Sequence, residues 1–177
     1  MSNETNKTPR FKPKDFDCDE YRDWEECFDK GFHTGVQVDF KYVDEKVSAS
    51  LVVPASYRFS KWFEAKGQFY FPIVGPHPGG LAASFQPRLY LPFLFKSPLW
   101  HPFVQAEAGF GNDERLKGWL GGGLGLRYLF KSRGTENTPS GFGLEGGLSF
   151  LGFKETKPDN SSWKWGPSLH FGLVTLI

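Results

Sequence analysis

Residues 15–30, DFDCDEYRDWEECFDK, hold eight Asp or Glu at a spacing that suits a hard cation. Asp15, Asp17, Asp19, Asp23 and Glu26 occupy positions 1, 3, 5, 9 and 12 of a calcium-loop pattern, where oxygen ligands wrap one ion. Position 6 is Glu20, where the sharp turn wants glycine, and position 8 is Arg22, where an apolar residue is usual. A solvated acidic face therefore competes with a metal loop, and calorimetric titration with millimolar calcium separates the two. Cys18 and Cys27 lie in the same segment. On one continuous helix they would be about 13 Å apart, against about 5–6 Å between the Cα atoms of a disulfide. Pairing thus requires that the segment is not a single helix; an oxidising compartment favours it, and both states stay open.

A second chemistry-bearing pair is Ser168 and His170, two residues apart near the C-terminus. Nucleophilic catalysis needs base and nucleophile in contact and a third group orienting the base. Asp39 could serve only if the first and last strands pair suitably. The competing reading makes His170 and His33 hydrogen-bonded interior groups, and places His77 and His101 in loops.

The larger constellation of charge is spread along the chain. Asp39, Lys41, Arg58, Glu64, Lys66, Arg88, Glu107, Arg127, Glu145 and Lys164 each alternate with apolar residues. The stretch 117–153 shows the pattern best. Leu120, Gly122, Leu124, Leu126, Tyr128 and Phe130 share one parity; Trp119, Gly121, Gly123, Gly125, Arg127 and Leu129 share the other. Then Phe142, Leu144, Gly146, Leu148 and Phe150 oppose Gly143, Glu145, Gly147 and Ser149. Side chains alternate across a strand with period two, so each run is a strand with one greasy and one small or polar face.

The same alternation predicts eight strands, over 32–43, 47–59, 63–74, 84–95, 103–110, 117–130, 141–153 and 163–177. Pro54, Pro72, Pro87, Pro92 and Pro167 fall inside them and are expected at bulges. Residues 1–14 read as a disordered polar tail, and 15–30 as an acidic, short amphipathic helix or irregular plug. The expected organisation is therefore an N-terminal segment over 1–30 and a β-barrel over 31–177.

Composition narrows the class. At 177 residues the chain is one domain with a tail. No stretch approaches the roughly 18–20 apolar residues of a membrane-spanning helix. A membrane β-barrel stays open to this sequence, because one face of every strand then meets a polar lumen. The 19 Phe, 6 Trp and 6 Tyr exceed what a soluble domain of this size needs. A net charge of +1 gives no sign of nucleic-acid binding. Met1 to Arg10 lacks the apolar region of a signal peptide, so an exported chain would be a mature form or an incomplete frame.

Volume decides which face points inward. An eight-stranded interior is just wide enough for side chains to fill. The apolar face carries roughly twenty large side chains by inspection of the alternation, too many for that space, whereas Gly, Ser and paired charges fit. The apolar face is expected outside, toward lipid, and the charges inside as a neutralising network in which Arg127 meets Glu145 on the adjacent strand. The alternative is a soluble lipocalin-like barrel with the apolar face inward, binding an apolar ligand. Aromatic belts are expected at the two rims, one with Tyr57, Phe59, Trp62, Phe95, Trp100, Tyr128 and Phe130. The other carries Phe40, Tyr42, Phe71, Phe110, Trp119, Phe150, Phe153, Trp163 and Trp165.

The eight amphipathic strands, the run GGGLGLRYLF and the polar interior resemble small outer-membrane β-barrels of the OmpA and OmpX type, over about 31–177. The chain departs from that type in ending FGLVTLI, with Ile177 where an aromatic residue is common. The resemblance implies an all-β, eight-stranded, antiparallel up-and-down transmembrane barrel in an outer membrane, with both termini on the periplasmic side. It implies a structural or surface-binding role and no cofactor. The expected partners are bilayer lipids and an envelope or periplasmic protein met through residues 15–30. Some small outer-membrane barrels are lipid A-modifying enzymes with a Ser–His pair; Ser168 and His170 fall on the inner face mid-strand, where lipid does not reach.

Overall fold

The computed structural model describes residues 31–75, 80–95, 99–112, 116–130, 141–155 and 162–176. The acidic segment, with its five candidate calcium ligands and both cysteines, lies outside the described residues, as do His77 and Ile177. The described chain forms eight antiparallel strands that close into a barrel in sequence order. They are β1 Gly31–Val43, β2 Lys46–Arg58, β3 Phe63–Val74, β4 Ala82–Tyr90, β5 Trp100–Gly111, β6 Leu116–Leu129, β7 Gly141–Glu155 and β8 Trp163–Leu176. Closure comes from pairing of β1 with β8, with Val38 opposite Phe171 and Asp39 opposite His170.

Each hairpin is local, so the up-and-down order follows from short connections. The tightest joins β1 to β2 through Asp44 and Glu45 alone. Both have positive φ, 52° and 61°, the signature of a two-residue type I′ turn, whose twist matches the flanking strands. Asp tolerates that conformation better than Glu does.

The faces sort as alternation requires. Among the described residues, the buried set holds 22 polar or charged side chains against ten hydrophobic ones, while 36 large hydrophobic side chains are exposed. The sheet is thus inside out relative to a water-soluble barrel, and its polar face is the lumen.

Four expectations are corrected. First, β4 ends at Tyr90 instead of running to 95, and Pro92–Leu94 forms a 3-10 turn. Proline lacks the N–H a ladder needs and its fixed φ suits the first turn of a helix. Second, β5 starts at Trp100, so His101 is a buried strand residue and not a loop residue. Third, Trp119 and Phe153 belong to no belt: they are buried in the lumen at 4% and 1% exposure. There their rings meet at a tilt, with centres 6.1 Å apart, and pack with Val43, Val52, Tyr70, Ala82 and Leu151. Fourth, the prolines behave differently from one another. A register shift at Ala49/Ser50 does lie opposite Pro72, which is exposed near the strand end. Around Pro54 and Pro87 the register is unshifted; the ladder simply opens and resumes, from Thr34↔Ala55 to Gln37↔Val52 and from Phe85↔Ala108 to Arg88↔Gln105.

Candidate functional site

The one concentrated piece of chemistry in the described chain is the lumen. Its centre is Glu145 on β7, 2% exposed. Oε1 accepts hydrogen bonds from Lys66 Nζ at 2.7 Å and Gln37 Nε2 at 2.8 Å. Oε2 accepts from Arg127 Nη2 at 2.7 Å and Nε at 2.9 Å, and pairs with Arg88 Nη1 at 2.8 Å. One carboxylate therefore ties β1, β3, β4 and β6 to β7. Arg127 forks onto a second carboxylate, with Nη1 and Nη2 each 3.0 Å from an oxygen of Glu64. Tyr90 also donates to Glu64. Arginine suits this position because its planar fork presents several donors at fixed angles.

Toward the rim formed by the Ser60 turn, Arg58 donates to the carbonyls of Ser60 at 3.2 Å and Lys61 at 3.0 Å. Its guanidinium lies 4.0 Å from the centre of the Tyr90 ring. Toward the other rim a second cluster forms around Glu107. Oε1 accepts from Trp119 Nε1 at 2.7 Å and Tyr70 OH at 2.9 Å, and Oε2 from Gln86 Nε2 at 2.8 Å. Lys41 pairs with Asp39 and sits 4.3 Å over the Tyr70 ring.

Nine of the ten charged residues singled out from sequence are buried together in these clusters. The tenth, Lys164, is not: its side chain is 39% exposed and pairs at 3.2 Å with Asp44 of the β1–β2 turn. Its parity is inward, but it stands at the barrel rim. The interior holds five cations (Lys41, Arg58, Lys66, Arg88, Arg127) and four anions (Asp39, Glu64, Glu107, Glu145), a net +1 with histidines neutral. Near-neutrality at this burial is what keeps the charges tolerable, since an unpaired charge taken from water costs several kcal/mol or more.

Glycine makes room for the large groups. A Cβ on Gly109 would collide with the Trp119 indole, and one on Gly125 with the Phe103 ring. Phe103 in turn lies beneath the Arg88 guanidinium, 4.2 Å from its ring centre. The result is a filled interior; the gap beside His33, between Lys66 and Arg127, is too narrow to admit water.

The Ser–His pair is not arranged as a triad. Ser168 Oγ donates to Asp39 Oδ1 at 2.6 Å, while His170 Nε2 faces Glu145 Oε1 at 3.9 Å. The β1–β8 pairing does set Asp39 opposite His170, yet the Asp39 oxygen is engaged by the serine. Sequence reasoning did not anticipate the roles of His101, Phe103 and Trp119 in the lumen. Extending the Gln105 parity by a few residues would have found His101 and Phe103, and Trp119 already shared the parity of Arg127. Among the described residues no group of three or more His, Cys, Asp or Glu forms a metal cluster.

No known family model matches this chain, and no curated protein is significantly similar to it.

Proposed function

We propose that this protein is a small outer-membrane β-barrel, related in type to the OmpA and OmpX barrels, that acts as a structural or partner-binding element and not as an open pore. The observation that carries this reading is the inversion of the sheet: charges inside, and an outer surface paved with Phe, Leu, Val and Trp. Soluble proteins rarely expose contiguous apolar patches above a few hundred Å², so such a surface calls for lipid. A closed barrel also satisfies its backbone groups without water, which is the condition for crossing a bilayer in β form. A soluble lipocalin-like barrel would carry these apolar faces inward, so the arrangement argues against that alternative.

The rims support the same placement. Trp62, Trp100 and Phe130 are exposed at the rim shared by the Ser60 turn, the start of β1 and the end of β8; Tyr42, Phe110, Trp163 and Trp165 are exposed at the other. Tyr and Trp favour the two membrane–water interfaces. The packed lumen argues against conduction, leaving the connections and the segment 15–30 as the surfaces for a partner.

Tryptophan quenching tests this. Single-Trp variants refolded into vesicles with brominated acyl chains should show strong quenching at Trp100 and Trp165 and little at Trp119. Equal emission from all three with and without bromine would refute a lipid-facing exterior.

A further inference from the structure

The opening in the ladder at Pro87 lies beside an external groove of about 280 Å³. Its lining is the outward-facing Phe63, Leu89, Val104 and Ala106 with Pro87 between them, and the inward-facing Arg88 and Gln105 at its floor. The register that pairs Phe85 with Ala108 and Arg88 with Gln105 sets Pro87 opposite Ala106. The pairing lost is the one that would use an N–H at residue 87, and proline has none. The Ala106 carbonyl therefore points into the β4–β5 seam without its ladder donor. In an apolar setting an unpaired carbonyl is costly.

We infer that this groove is a lateral site for a membrane lipid whose acyl chain carries a hydroxyl. The chain would lie against Phe63, Leu89 and Val104, and the hydroxyl would donate to the Ala106 carbonyl. Water is a poorer occupant, because an ordered water wants two to four polar partners and the groove walls are mostly apolar. An unsubstituted chain fills the groove but leaves the carbonyl unpaired. The inference rests on the lipid-facing reading of the exterior.

The test uses the full chain refolded in detergent micelles, with backbone amides assigned by NMR. The probes are 3-hydroxytetradecanoic acid and tetradecanoic acid, which share charge and length. The hydroxy acid should shift the Leu89, Val104 and Ala106 amides saturably, at about fivefold lower concentration than the plain acid, the fold-change of one net hydrogen bond. Pro87→Ala restores the missing N–H and should abolish the preference. Ala106→Phe fills the groove and should abolish the shifts from both acids. Equal response to the two acids, or a preference that survives Pro87→Ala, would overturn the site. A chain that is folded and monodisperse before any detergent is added would instead overturn the membrane reading itself, and that is read out before either probe is introduced.

Discussion

Replacing Glu145 by glutamine tests the idea that one carboxylate organises the lumen. The amide keeps the shape but removes the charge that faces Arg127, Arg88 and Lys66 at 2.7–2.8 Å. The interior balance moves from five cations and four anions to five and three. Arg127 retains Glu64, but Arg88 and Lys66 lose the carboxylate they share. Breaking one side of a buried pair costs about 3–5 kcal/mol, because the abandoned charge stays buried. The amide oxygen still accepts from one donor, so a loss of about 3 kcal/mol is expected for Glu145→Gln and about 5 kcal/mol for Glu145→Ala. The assay is reversible urea unfolding in vesicles, followed by intrinsic fluorescence and by the mobility of unboiled samples on a gel. A double-mutant cycle with Arg127→Met isolates the pairwise share, and removing both partners should recover more than about 1 kcal/mol. If Glu145→Gln costs less than about 1 kcal/mol, the network is not what holds the lumen together, and the packing of Phe103, Trp119 and Phe153 must do so instead.

Other outcomes follow from the same geometry. Trp119→Phe keeps the ring but deletes the indole donor to Glu107; leaving that carboxylate short of a partner should cost about 1–3 kcal/mol in the same unfolding assay. Gly109→Val drives a side chain into the Trp119 indole and should cost about 1–3 kcal/mol, with a change in Trp119 emission as the local reporter. Glu45→Gly relieves the positive φ of a residue with a Cβ. It should stabilise the barrel by up to about 1 kcal/mol, whereas Glu45→Val should destabilise it. In planar bilayers the refolded protein should give no steady single-channel current; stable conductance steps would contradict a filled lumen.

Much of this barrel was legible because its two faces differ so sharply. A strand such as Phe63–Val74 places Glu64, Lys66 and Gln68 on one parity and Phe63, Phe69 and Phe71 on the other, and only one orientation suits a narrow lumen. Contacts between neighbouring strands were also within reach, as Arg127 and Glu145 show. Convergence across the barrel was not. That Lys66, Arg88 and Gln37 meet the same carboxylate depends on closure and stagger, which alternation does not encode. Strand ends were read poorly where proline intervened: Pro92 stops β4, while Pro102 sits within β5, where it pairs with Leu126 and accepts from the Leu91 amide. Aromatic type misled at Trp119 and Phe153. A bulky ring near a strand end suggests an interface anchor, yet their parity is that of the lumen, and Gly109 across the seam clears the space that Trp119 occupies. Lys164 is the converse case, with inward parity but a position at the rim beside Asp44.

The most direct test of the central claim is to refold the chain with and without detergent, recording circular dichroism and comparing unboiled with boiled samples on a gel. An apolar exterior predicts a β spectrum that requires detergent and a mobility that changes on heating, as the closed barrel opens only when boiled. A folded, monodisperse protein in plain buffer, with no heat-dependent shift, would mean that the apolar face does not meet lipid.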